Sequence, residues 1–110
     1  MNKFHNKITY VDGIRFHSAK EARRWKELQL LERAGHISDL RRQVKYILIP
    51  TQYDDNGKLL YRGTNYFADF VYRDRGGHIV VEDCKGFRTE VYKIKAALMY
   101  LNYRIKVLET

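Results

Sequence analysis

The segment from Tyr66 to Phe87, YFADFVYRDRGGHIVVEDCKGF, reads as two alternating β-strands joined by a Gly76-Gly77 turn, with acids where the strands of a packed sheet carry apolar groups. Side chains alternate with a period of two, so Phe67, Asp69 and Val71 share one face of the first strand. Ile79, Val81, Asp83 and Lys85 share one face of the second. Both acids and the lysine can therefore converge. A carboxylate held in a buried face without a partner costs several kcal/mol. A divalent cation is the simplest partner for two of them.

With 110 residues the chain can bury one core and forms one domain over residues 1–110. An apolar content of 45%, with nine tyrosines and five phenylalanines, excludes a disordered chain, and 31% charged residues without a long apolar run exclude a membrane span. The opening MNKFHNKITYVDG has no apolar stretch of signal-peptide length, which leads us to expect a cytoplasmic protein. The lone Cys84 is then a reduced thiol. Lys and Arg number 21 against 13 Asp and Glu, a net charge of +8, and phosphate polyanions are the natural partners of such a surface.

Along the chain, ITYVDGIRF (residues 8–16) is an alternating run broken by Asp12-Gly13, a β-hairpin signal. Ser18-Ala19-Lys20-Glu21 is a capping-box pattern that starts a helix running to about Ala34, with Gly35 as its stop. Ala22, Trp25, Leu28 and Leu31 form its apolar face, and Arg23, Arg24, Lys26 and Arg33 lie away from it. VKYILI (residues 44–49) is a strand ended by Pro50, Asp54 to Gly57 is a turn, and residues 59–62 lead back. After the two acidic strands, Thr89 caps a second helix to about Leu101, whose apolar stripe is Val91, Ile94, Ala97, Leu98 and Leu101. RIKVL (residues 104–108) is a last short strand. The order ββ, α, three strands, α, β predicts an α/β or α+β fold with a central mixed sheet between helices and an N-terminal β-hairpin.

Asp69 followed by the Asp83-Cys84-Lys85 tripeptide resembles the signature of the PD-(D/E)XK nuclease superfamily, with Ala68 where a proline often stands. The stretch Gly13 to Ala22 is similar to the F-x-S-x-x-E opening of its phage and transposon members, here Phe16, Ser18 and Glu21, and Gln43 precedes the first core strand. The likeness spans nearly the whole chain and is nearest to a small phage-encoded branch akin to Holliday-junction resolvases and transposon-end nucleases. It implies a restriction-endonuclease-like core and a Mg²⁺- or Mn²⁺-dependent endonuclease acting on branched or structured DNA in phage replication or recombination. Asp69, Asp83 and the backbone carbonyl of Cys84 would hold the metal. Lys85 would orient or deprotonate the attacking water and offset phosphate charge. Glu21 is either a third acid that meets the metal, directly or through water, or only the helix cap.

Glu82 points away from Asp83 by parity, so Asp83 is the ligand unless a bulge reverses the choice. The four histidines and one cysteine have no zinc-site spacing. Arg23, Arg24, Arg41, Arg42 and Arg88 are read as contacts to the DNA backbone, joined by Gln43, Lys93 and Lys95, since no recognition-helix pattern is present. Cutting both strands of a junction would call for two sites and hence a homodimer. The competing expectation is a non-catalytic nucleic-acid-binding module on the same fold.

Overall fold

The computed structural model describes residues 7–84 and 88–110. Two short strands, β1 (Thr9–Val11) and β2 (Ile14–Phe16), form the expected hairpin, whose turn places Asp12 and Gly13 at positive φ. Helix α1 (Ala19–Arg33) starts where Ser18, in extended backbone, accepts the Glu21 N–H at 3.1 Å. It ends at a Schellman cap: Gly35, at φ +80°, donates to Glu32 O, and His36 N donates to Leu31 O.

The central sheet comprises β3 (Ser38–Ile49), β6 (Thr64–Arg73), β7 (Ile79–Asp83) and β8 (Leu108–Glu109), in that spatial order. The first three are antiparallel neighbours, and β8 lies parallel to β7 after the crossover through α2 (Glu90–Tyr103). Strand β3 begins six residues before the expected start at Val44. Asp39 and Gln43 take positive φ within it and interrupt the alternation that would have revealed it. The last strand is shorter than RIKVL, because Arg104 turns left-handed at φ +58° to end α2. The chain is thus α+β, a mixed sheet with one helix on each face.

Each face has its own core. Phe16, Ala22, Leu28, Phe70 and Tyr72 pack beneath α1, with Trp25 stacked on Phe70 at a centroid distance of 5.9 Å. Leu48, Tyr66, Ala68, Val71 and Val81 pack against Tyr92 and Met99 of α2. The stripe expected to bury α2 is corrected here: Val91, Ile94, Ala97 and Leu101 are exposed, and only Leu98 reaches the core edge. Two aromatic anchors at α2's ends, Tyr92 and Tyr103, outweigh the aliphatic pattern. Tyr103 packs edge-on against Tyr46 and donates to Ile47 O at 2.6 Å.

Between β3 and β6 the chain leaves the sheet as an arm, β4 (Gln52–Tyr53) paired with β5 (Leu59–Tyr61). Its turn is built by Asp54, whose Oδ1 accepts the N–H groups of Asn56 and Lys58, and by Gly57 at φ +82°. At its base Gly63 admits no side chain, since a Cβ there would lie 2.6 Å from Ile49 O. The radius of gyration, 16.3 Å, exceeds the value of about 13 Å for a compact domain of this size. Among the described residues no helix is long and apolar enough to cross a membrane.

Candidate functional site

The acids sit where the sheet changes face. Ala68 and Phe70 are two residues apart and would share a face of a regular strand, yet Ala68 packs under α2 and Phe70 under α1. Strand β3 makes the same switch: Arg42 lies over the Phe16 ring on the α1 side, whereas Val44 packs with the α2 core. The pairs Arg42↔Phe70 and Val44↔Ala68 keep one register across the break, so the residues between them, Gln43 and Asp69, face each other. Gln43 takes φ +49° to make the turn. The expectation that Phe67, Asp69 and Val71 share a face is therefore corrected. Phe67 is exposed, Val71 is buried under α2, and Asp69 occupies the point of reversal.

Convergence of the acids survives this change because it depends on the β6–β7 register. Phe70 pairs with Glu82, and one further step sets Asp69 beside Asp83. Asp69 Oδ2 accepts the backbone N–H of Cys84 at 2.8 Å, and its Oδ1 accepts the Gln43 amide at 3.2 Å. The same amide donates to Glu21 Oε2 at 3.3 Å, which ties α1 to the strand pair. Glu21 Oε1 accepts the N–H of His17 at 3.2 Å. Glu21 is thus both part of the helix start and a member of the acidic group, and it is buried. Asp83, 2% exposed, accepts the Tyr66 hydroxyl at 2.6 Å. Sequence reasoning missed Tyr66. Its only signal was that a tyrosine on a buried strand face needs an acceptor for its hydroxyl.

Glu82 belongs to the other face. It is fully buried, at 0% exposure, and accepts two 2.8 Å bonds from the Arg24 guanidinium, Nε to Oε1 and Nη2 to Oε2. The Tyr72 hydroxyl donates to the same carboxylate, and burial together with this bond pushes the tyrosine up to about 12. The hydrogen bond to Glu82 holds the Arg24 guanidinium above its ordinary range. Arg24 therefore does not lie away from the apolar face with Arg23, and its place as a DNA contact is withdrawn. Its charge is spent on a buried acid.

Electrostatics single out Asp69. Burial, the charge of Asp83 and then that of Glu21 raise the Asp69 carboxyl to about 7, and the donors from Cys84 and Gln43 offset only part of this. Burial pushes the Cys84 thiol to about 11, so it is a protonated neighbour whose contribution is through its backbone. Among the described residues no group of three or more Asp, Glu, His or Cys side chains is placed to hold a metal ion. In chemical type the donors are those a hard divalent cation takes, carboxylate oxygens from two adjoining strands with a third acid linked through Gln43. Lys85, expected beside Asp83, lies outside the described residues.

The other expected DNA contacts are scattered in their commitments. Arg23 is exposed on α1. Arg41 lies 3.8 Å from Asp39, Arg88 3.0 Å from Glu109, and Lys93 3.1 Å from Glu90, all as ion pairs near the surface. Arg42 is spread over Phe16 and Trp25 with a contact to Arg15 O at 3.5 Å, and its role is packing of the α1 face. Lys95 is half-buried beside the inner face of α2.

A mixed sheet between two helices, with buried acids meeting at one break in the strands, defines an α+β domain with an acidic centre. The family model described as "Protein of unknown function (DUF1064)" matches residues 1–109, and the chain belongs to that family. No curated protein and no solved structure matches it.

Proposed function

We propose that this domain is a divalent-metal-dependent DNA endonuclease that hydrolyses phosphodiester bonds, with branched or structured DNA of phage replication or recombination as its substrate. The observation that carries the reading is the meeting of Asp69, Asp83 and Glu21, with Asp69 raised to about 7 by burial and its acidic neighbours. A bound Mg²⁺ or Mn²⁺ would neutralise charge at the scissile phosphate and make water more acidic. Asp69 and Asp83 would hold it, with the Cys84 carbonyl, and Glu21 would join through water. The Tyr66 hydroxyl fixes the orientation of Asp83, and the Gln43 amide fixes Asp69 against Glu21. Lys85 would orient the attacking water, as the likeness to the nucleases implies. The +8 charge draws DNA to the domain, with Arg23 among the exposed phosphate contacts.

The test is cleavage of linear, nicked and four-way-junction DNA in Mg²⁺ or Mn²⁺. Wild type should cut at least one of them, preferring the junction, and Asp69→Ala and Asp83→Ala should cut none while remaining folded by circular dichroism. Failure of the wild type on every substrate, or full activity of either variant, overturns the reading.

A further inference from the structure

Helix α1 covers only one end of the sheet, where Ile37, Leu40, Phe70 and Tyr72 pack beneath it. Tyr66 and Ala68 on β6, and Tyr46 and Leu48 on β3, point into the core under α2. By alternation Phe67, Lys45 and Ile47 stand on the other side of the sheet, beyond the reach of α1. Lys45 is paired directly with Phe67 across the two strands, and Ile47 with Asn65. Phe67 is 53% and Ile47 51% exposed, and Lys45 is exposed beside them. Single exposed apolar side chains are ordinary, and what distinguishes Phe67 is its place. Of the groups at the break in the strands, Glu21 and Asp83 are buried, Asp69 is half-buried and Gln43 is exposed. A substrate therefore reaches the acids past Gln43 and Asp69. The Lys45–Phe67 pair lies two residues further along both strands, about 7 Å away.

We propose that Phe67 and Lys45 form a platform for one unstacked nucleotide beside the scissile phosphate, the Phe67 ring stacking on its base and the Lys45 ammonium meeting a phosphate of the same strand. The proposal rests on the endonuclease reading and deepens it by a substrate feature: a base out of the helical stack, as at the branch point of a junction or the foot of a flap. Charge and polarity both fit such a strand. Residues 43–49 and 63–68 include no acid, so nothing on this stretch of either strand repels phosphate. An apolar protein surface laid here would instead strip water from Lys45 without giving it an acid. In a duplex the faces of each base are covered by its neighbours, and only base edges show in the grooves. A ring standing on a sheet can therefore stack only on a base that has left the duplex. Lys45 would serve any phosphate, and Phe67 is the residue that selects.

The test is DNA binding in EDTA, which separates the platform from cleavage. The probes are a fluorescein-labelled duplex and the same duplex carrying a short single-stranded flap. Wild type should bind the flap about tenfold more tightly than the duplex, Phe67→Ala should lose that preference, and Phe67→Trp should keep it. The salt slope of binding should be unchanged in Phe67→Ala, because the ring carries no charge, and shallower by about 0.7 to 0.9 in Lys45→Ala. Both side chains are exposed, so each variant should keep the wild-type circular dichroism spectrum. A wild type that binds flap and duplex alike, or a Phe67→Ala variant that keeps the preference, overturns the platform even if the domain cleaves DNA. A wild-type dimer that Phe67→Ala makes monomeric with DNA binding unchanged assigns the face to a second copy and overturns it too. A preference lost in Phe67→Ala, in a wild type that cleaves no substrate, supports the base contact and overturns only the endonuclease reading.

Discussion

Glu82 and Asp83 are adjacent in the chain and both buried, and the structure treats them in opposite ways. Glu82 meets a guanidinium in two-pronged geometry and a tyrosine hydroxyl, so its charge is neutralised within the α1 face. Asp83 looks to the other face, where Tyr66 orients it and the neighbouring carboxyl is Asp69. Asp69 in turn is held by N–H dipoles from Cys84 and Gln43 and is pushed up by burial and then by two acids. A buried acid matched by a cation is a structural member. Asp69, raised by burial and by the acids beside it, belongs to the site proposed above, and one residue of β-strand parity separates Asp83 from Glu82.

The largest effect expected is on cleavage. If metal stabilisation supplies several kcal/mol, Asp69→Ala and Asp83→Ala should each lower the rate by about 10³-fold or more, measured in single-turnover assays. Glu82→Ala and Arg24→Ala should act on stability instead. Arg24→Ala leaves the buried Glu82 carboxylate alone and should cost about 3–5 kcal/mol in urea unfolding, Glu82→Ala leaves the partly exposed Arg24 and should cost less, and Arg24→Met combined with Glu82→Leu should recover most of the larger loss. The rate per folded molecule should stay within about threefold of wild type. Loss of cleavage without loss of stability in Glu82→Ala would break the comparison.

Much of the fold was legible because its signals are local. The Ser18 cap, the Gly35 stop, the Asp12-Gly13 turn and the Ala22–Leu28 face each depend on residues within a turn or two of one another. The site was legible in part. Asp69 and Asp83 could be paired from the turn between their strands, but the reversal at Gln43 and Asp69 needs two strands to break together, and neither strand shows that alone. Arg24 looked like surface because its partner lies 58 residues away. The outer stripe of α2 was read as core because periodicity reports that a face is apolar and says nothing of which apolar face the sheet takes.

A smaller effect would sharpen the role of Tyr66. Removing its hydroxyl in Tyr66→Phe leaves Asp83 in place but less firmly oriented, and metal affinity should fall by about tenfold. Unchanged affinity would reduce Tyr66 to packing. The smallest effect is on pH dependence. The Asp69 carboxyl is raised in the fold, so its contribution to stability is present below its ordinary value of 3.8 and is lost as pH rises through about 7. Without metal, the wild-type melting temperature should fall across that window relative to Asp69→Asn, which has no such proton to lose. Divalent metal should oppose the fall, binding more tightly as the proton leaves. Parallel melting curves for the two proteins between pH 4 and 8 would contradict the assignment.

The central claim, that Asp69 and Asp83 form a cation site, is tested most directly by calorimetric titration of Mn²⁺ into wild type and into Asp69→Asn with Asp83→Asn, at a pH above 7. Wild type should show saturable binding and the double variant none, with both folded by circular dichroism. A wild type that takes up no Mn²⁺, or a double variant that binds it equally well, would contradict the claim.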